Sequence, residues 1–288
     1  MLGLVTDSTA SLSATTAADL GIEVVPLQVA IGSTTYPENA PGGTPDAIAE
    51  AMRAKVPVST SRPSPEVLLA TYDRLAAAGA EQIVSVHLSS QMSGTYESAQ
   101  VAARRCSVPV TTLDTLQVGM STGFAVLAGA RVRDAGGDAD AVAAAVRSRA
   151  ASTTSLFYVD TLEHLRRGGR IGAASALLGS ALSVKPILRV EHGLVCPLER
   201  QRTSTRALAR LEELAVEAAG EDGTETPVDV AVFHLAAHER ASEVAGALAA
   251  RLSDQLEGRT PVLGELGAVL GAHVGPGTVA VSVSRRLG

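Results

Sequence analysis

In the first half of this sequence, short β-branched runs alternate with alanine-rich runs long enough to be helices, and two of those helices mark their own starts. Thr44-Pro45-Asp46 and Ser64-Pro65-Glu66 each place a hydroxyl at the N-cap, proline at the first helical position and an acid in the first turn. Period and punctuation predict strands over 2–6, 23–30, 82–87 and 108–113. They predict helices over 13–20, 45–54, 65–78, 94–105 and 119–135, with Gly79 as a C-terminal stop. Strand–helix alternation of this kind folds as a largely parallel sheet with helices on both faces.

The second half breaks that rhythm. Gly136-Gly137-Asp138 is followed by a helix to about residue 150 and a strand over 155–160. The stretch 161–180 carries paired glycines and has no clear period. Residues 186–190 and 194–199 read as a hairpin across Glu191-His192-Gly193. A helix over 204–219, an acidic loop over 220–227, a strand over 228–234, a helix over 237–256 and a strand over 278–284 complete the pattern. With 288 residues, two domains are expected: an N-terminal α/β domain over 1–150 and a C-terminal α/β domain with a mixed sheet over 151–288.

Composition narrows the chemistry. The chain has no Trp, three Phe and four Tyr, so aromatic stacking is not expected to be its main mode of recognition. The core must be aliphatic, and aliphatic side chains can line an apolar tunnel. A net charge of −6 argues against duplex nucleic acid as a partner. Two cysteines give no disulfide scaffold. The opening MLGLVTDSTA lacks the basic and long apolar regions of a secretory leader, and no apolar run is long enough to span a bilayer. A soluble cytoplasmic protein is expected.

Three polar segments share one design. Thr6-Asp7-Ser8-Thr9 follows the first strand, 59–64 precedes a marked helix start, and Ser89-Ser90-Gln91-Met92-Ser93-Gly94-Thr95 joins a strand to a helix. In parallel α/β sheets, ligands bind at the carboxyl ends of strands, where hydroxyls and free N–H groups suit a small anion. Such residues are also common as plain caps and turns. Neither G-x-x-x-x-G-K-[ST] nor a G-x-G-x-x-G after the first strand is present, so a carboxylate or single phosphate fits better than a nucleotide.

Other motifs are weaker. His273 stands beside Gly275-Pro276-Gly277, a rigid turn from which it could donate to a carboxylate. Arg166-Arg167-Gly168-Gly169-Arg170, with Arg200 and Arg202, is basic enough to meet an acidic partner or a phosphate. Gly119-Met120-Ser121-Thr122-Gly123 matches the G-x-S-x-G nucleophile elbow. This leaves a serine hydrolase using Ser121 as the alternative function. His234 and His238 read H-L-A-A-H without the acid of a zinc motif, and no metal site is expected.

Taken in order, these segments resemble the DegV family, which is similar to the fatty-acid-binding subunit of bacterial fatty acid kinase. The likeness rests on V-T-D-S-T at 5–9, T-S-R-P-S at 60–64, S-S-Q-M-S-G-T-Y at 89–96, D-T-L-E-H-L-R-R-G-G-R-I at 160–171, K-P-I-L at 185–188, R-Q-R-T at 200–203 and H-V-G-P-G at 273–277. The resemblance implies two α/β domains with one lipid between them. The lipid carboxylate would be held by Thr60, Ser61, Ser93, Gly94, Thr95 and His273, and the tail by an apolar tunnel. It implies no catalytic residue and no cofactor in this chain beyond the bound fatty acid. A separate ATP-dependent kinase would phosphorylate that carboxylate, with Arg170 and Arg202 facing the kinase. A transient contact with a membrane surface is a further implied partner. The sequence departs from the family pattern at Arg62 (usually Gln), Met92 (Leu) and Val274 (Thr). The Pro- and Gly-rich segment 36–44 carries no acid near its centre, where one is expected.

Overall fold

The computed structural model describes residues 1–177, 184–220 and 226–286. Part of the stretch expected to be irregular (178–180) and most of the acidic loop (221–225) lie outside the described residues.

The chain divides into two compact units, Met1–Gln28 with Thr60–Ala151, and Val29–Ser59 with Ser152–Gly288. The sequence reading places residues 1–150 in one continuous domain. The segment Val29–Ser59, however, groups with the C-terminal half.

The first unit contains β1 (Leu2–Asp7), a 3-10 turn at Ser8–Ala10, α1 (Ala14–Asp19) and β2 (Ile22–Val25). The chain then leaves through β3 (Gln28–Ile31), β4 (Thr34–Pro37), α2 (Pro45–Arg53) and β5 (Val58–Ser61). It resumes with α3 (Pro65–Ala77), β6 (Gln82–His87), α4 (Thr95–Ala103), β7 (Val110–Asp114), α5 (Met120–Asp134) and α6 (Ala139–Ala151). The sheet runs β2-β1-β6-β7 and every pair is parallel. Alternate strand residues feed two cores, as a two-residue period requires. Leu4, Val84, Val86 and Leu113 pack with Ala125, Val126, Val142 and Val146 of α5 and α6. Val5, Val25 and Ile83 pack with Leu68, Tyr72, Ala99 and Ala102 of α3 and α4. Helices therefore cover both faces, and the buried side chains of the two cores are aliphatic apart from Tyr72.

The single strand expected over 23–30 is two strands in different sheets. Pro26 has no N–H to give a ladder, and the next amide, Leu27 N–H, donates to Ser8 Oγ at 3.0 Å instead. The strands β3, β4 and β5 form a small sheet in the order β4-β3-β5. The segment Ser59–Ser64, expected as a loop, is thus partly strand. Of the two marked helix starts, Thr44 Oγ1 accepts from Ala47 N–H at 3.3 Å, whereas Ser64 holds the N-cap position without a capping bond.

The second unit continues with β8 (Thr153–Tyr158), α7 (Glu163–Arg167), a 3-10 segment (Gly172–Leu177), β9 (Lys185–Glu191), β10 (Leu194–Gln201) and α8 (Ser204–Gly220). It ends with β11 (Val228–His234), α9 (His238–Arg251), α10 (Ser253–Leu256), β12 (Val262–Glu265), α11 (Ala268–Val274) and β13 (Val279–Arg285). The order β10-β9-β8-β13-β11-β12 is mixed: only β11–β12 is parallel. The β9–β10 hairpin turns through His192 (φ 50°) and Gly193 (φ 79°), the paired positive φ of a tight two-residue turn. Leu156, Tyr158, Ile187, Val230, Val232, Val281 and Val283 pack with Ala207, Leu211, Ala241, Val244 and Leu248 of α8 and α9. The helix expected over 237–256 is interrupted at Leu252, which lies between α9 and α10.

Candidate functional site

The four parallel strands of the first unit end side by side. Asp7 pairs with Val25, and His87 pairs with Asp114. Their polar residues are bonded into one network. Asp7 is fully buried. Its Oδ1 accepts from Thr9 N–H at 3.1 Å and Thr9 Oγ1–H at 2.5 Å, and its Oδ2 accepts from Leu88 N–H at 3.1 Å. Oδ2 also lies 3.0 Å from His87 Nδ1, and His87 Nε2 lies 2.8 Å from Ser85 Oγ. Tyr72 donates its hydroxyl proton to Ser85 Oγ at 2.8 Å. Burial, partly offset by that bond, pushes the Tyr72 hydroxyl up to about 12, so it stays a donor.

The Ser89–Thr95 segment folds onto this base. Ser89 N–H donates to Gln117 O, and Ser89 O accepts from the amides of Met92 and Ser93. Ser93 Oγ lies 2.9 Å from Thr95 Oγ1 and accepts from Thr95 N–H at 3.3 Å. Ser93 is half-buried and Thr95 buried at the start of α4. Thr60 and Ser61 lie at the end of β5, half-buried and exposed respectively. The adjoining Arg62 donates from Nη1 to Gly94 O at 3.4 Å. A Cβ on Gly94 would fall where that guanidinium lies. The first unit therefore gathers Ser93, Gly94 and Thr95, with Arg62 linking them to the Thr60–Ser61 segment.

In the second unit the 160–170 segment and the 273–277 turn interlock. A Cβ on Gly168 would collide with His273 Nδ1, one on Gly275 with the His164 ring, and one on Gly277 with the Asp160 carboxylate. Arg170 donates from Nη1 to Gly168 O at 2.7 Å. Burial, and then the nearby Arg170 cation, push the His273 imidazole down to about 4. His273 is therefore neutral near pH 7 and can donate one hydrogen bond without carrying charge. Arg170 and His273 meet at Gly168, so these two predicted residues share one cluster. Arg202 is exposed, just past β10. It lies two residues before Ser204, whose Oγ lies 2.9 Å from the Tyr158 hydroxyl oxygen. Tyr158 donates to Asp160 Oδ1, which Lys185 Nζ reaches at 2.9 Å. Burial raises the Asp160 carboxyl, but the bonds from Tyr158 and Lys185 outweigh this and hold it below the usual range.

The elbow reading of Ser121 is not supported. An elbow presents its serine to solvent on a sharp strand-to-helix turn. Here β7 ends at Asp114, five residues before the N-cap Gly119, and Ser121 is fully buried in the first turn of α5. Ser85, His87 and Asp7 do stand in the order of a hydrolytic relay. All three are buried as well, and Ser85 Oγ is already bonded by Tyr72. Among the described residues no group of three or more His, Cys, Asp or Glu could hold a metal ion. No helix among them is long and apolar enough to cross a membrane.

Two anchoring groups are not evident from motifs. One is His87 with Ser85. The available signal is two polar residues at i and i+2 on one face of an otherwise apolar strand. The other is Glu38. The segment 36–44 does hold an acid, near its start rather than its centre. Glu38 is buried, and its Oε1 accepts from Val269 N–H at 2.8 Å in the first turn of α11. Glu38 thus ties Val29–Ser59 to the helix that ends beside His273. That tie is a physical reason for this segment to belong to the second unit.

Fold and sites together define a two-unit α/β protein, one sheet parallel and one mixed, with hydroxyl-rich strand ends in the first unit and a histidine–arginine cluster in the second. The chain belongs to the DegV family, whose model matches residues 1–286. It is 50% identical over 286 residues to a DegV domain-containing protein of Streptomyces coelicolor, covering 99% of each chain. It is also similar to two solved structures. A DegV family protein of Thermus thermophilus, described for its fatty acid binding, is 31% identical, with TM-score 0.88 and 99% of both chains covered. DegV of Bacillus subtilis, described as a fatty acid binding protein, is 29% identical, with TM-score 0.88 and 99% of both chains covered.

Proposed function

We propose that the chain binds a long-chain fatty acid and acts as a carrier. The observation that carries this reading is kinship at full length with the Thermus thermophilus protein described for fatty acid binding, together with the Ser93-Gly94-Thr95 arrangement. Thr60, Ser61, Ser93, Thr95 and the neutral His273 are the proposed donors to the carboxylate, with Gly94 allowing close backbone approach. Uncharged donors suit this task, because a desolvated carboxylate must be hydrogen-bonded but needs no counter-charge to be oriented. Affinity comes from the tail: each buried CH₂ contributes about 0.8 kcal/mol, so ~14 of them contribute ~11 kcal/mol before ordering costs.

The carrier presents its carboxylate to a separate ATP-dependent kinase. A carboxylate oxygen attacks the γ-phosphorus, the bond to the β-bridging oxygen breaks, and ADP leaves, giving an acyl phosphate. This chain contributes binding and orientation, and Arg170 and Arg202 are the proposed kinase-facing cations.

Mass spectrometry of lipid extracted from purified protein tests the reading. A fatty acid at near-stoichiometric amount is expected. Recovery of none, together with no uptake of added oleate, would overturn it.

A further inference from the structure

The Asp7 carboxylate is fully buried and at the strand ends, where a bound anion would be repelled by it, yet the fold keeps it. Its partners explain why. Oδ1 is bonded twice by Thr9, on the loop after β1, and Oδ2 by Leu88 N–H, on the loop after β6. Ser8, between them, holds Leu27 beyond β2. His87 O accepts from Thr115 N–H at 3.1 Å and Thr115 Oγ1 at 2.9 Å beyond β7. The Asp7 carboxylate, the Ser8 hydroxyl and the His87 carbonyl therefore together pin the loops after all four strands.

Hydrogen-bond direction fixes the state of the array. Tyr72 donates to Ser85, so Ser85 passes its own proton toward His87 Nε2. His87 then carries its proton on Nδ1 and gives it to Asp7. Asp7 accepts four bonds and gives none, which suits an ionised carboxylate and no other side chain of its shape. An asparagine there would turn an NH₂ against Leu88 N–H or Thr9 N–H, leaving two donors face to face. From Leu88 hydrogen bonds continue along the chain: Ser89 closes the turn that delivers Ser93, and Ser93 bonds Thr95.

We infer that Asp7 is a positioning residue: its carboxylate sets the geometry of the Leu88–Thr95 loop so that Ser93 and Thr95 form an acceptor-selective site. As a statement about ligand selectivity this rests on the fatty-acid reading, but as a statement about the loop it does not.

Asp7→Asn, followed by amide NMR of the fatty-acid-free protein and by competition of oleate against methyl oleate, separates the two. In Asp7→Asn the amides of Leu88–Thr95 should shift while those of α6 stay. Preference for oleate over its ester should fall about tenfold, the scale of one opposed buried donor. Tyr72→Phe removes the group that orients the Ser85 proton but touches none of the atoms bonded to Asp7, and should move both readouts less than Asp7→Asn does. If Asp7→Asn does not fold, Thr9→Val, which deletes one of the four donors, should move both readouts the same way by about threefold. Unmoved loop amides, or equal losses for acid and ester, would overturn the inference. If wild type binds neither ligand, the proposed function fails, and the amide arm alone still decides whether Asp7 sets the loop.

Discussion

Gly168 lies directly against the imidazole of His273, with no room for a methyl group between them. Its backbone is ordinary helical (φ −73°), so the glycine is there for space. Gly169, next in sequence, is the reverse case: its φ is +70° and nothing would meet its Cβ.

This pair gives a clean contrast. Gly168→Ala should displace His273, weaken fatty acid binding, and lower stability by about 1–3 kcal/mol through overpacking. Gly169→Ala should lower stability by about 1 kcal/mol through backbone strain and leave affinity near wild type. Denaturant melts and titration with a fluorescent fatty acid check both.

His273 predicts a pH dependence. Unfolded, its imidazole takes a proton near 6.5; folded, burial and Arg170 delay this until about 4. Between those values the unfolded chain binds more protons, so stability is full above 6.5 and falls as pH drops toward 4. His164 and His234 are shifted the same way, so the informative quantity is the difference from His273→Gln. That variant should lose less stability between pH 7 and pH 4.5 than wild type does. Arg170→Ala, followed by imidazole NMR, should raise the His273 midpoint by removing a nearby cation.

Ser93→Ala removes the acceptor of Thr95 N–H and the partner of Thr95 Oγ1. The site is only half-buried, so the stability loss should be about 1 kcal/mol. Fatty acid affinity should fall about tenfold. Equilibrium titration with oleate measures it.

Ser121 should resist a fluorophosphonate probe under native conditions, because its hydroxyl has no solvent access. Intact-mass measurement after incubation checks this, and a stoichiometric adduct at Ser121 would restore the hydrolase alternative.

Much of the first unit was legible because its signals are local. The apolar runs of β1 and β6, the Thr44-Pro45 start and the hydroxyl loop at Ser89–Thr95 each need only neighbours in sequence to be read. What escaped depends on distant partners. The sequence pattern gives no element between 256 and 278, yet Val262–Glu265 is a strand and Ala268–Val274 is helical. Gly267 is small because Glu38 reaches it, and Gly271 because Leu235 packs close. Asp7 was visible within V-T-D-S-T, but His87 reaches it from 80 residues away. Arg170 and His273 were both identified, though their meeting at Gly168 follows only from the interlocking of two loops.

The excursion of Val29–Ser59 into the second unit bears on synthesis. Glu38 leaves the ribosome more than two hundred residues before Val269, the amide it accepts from. The N-terminal sheet can close as soon as residue 151 is made, but the excursion must wait, unpaired with its destination, until nearly the whole message is read. Severing the gene at the 151–152 junction would therefore not yield two self-sufficient halves: the front piece would carry a displaced strap and the rear piece would lack it.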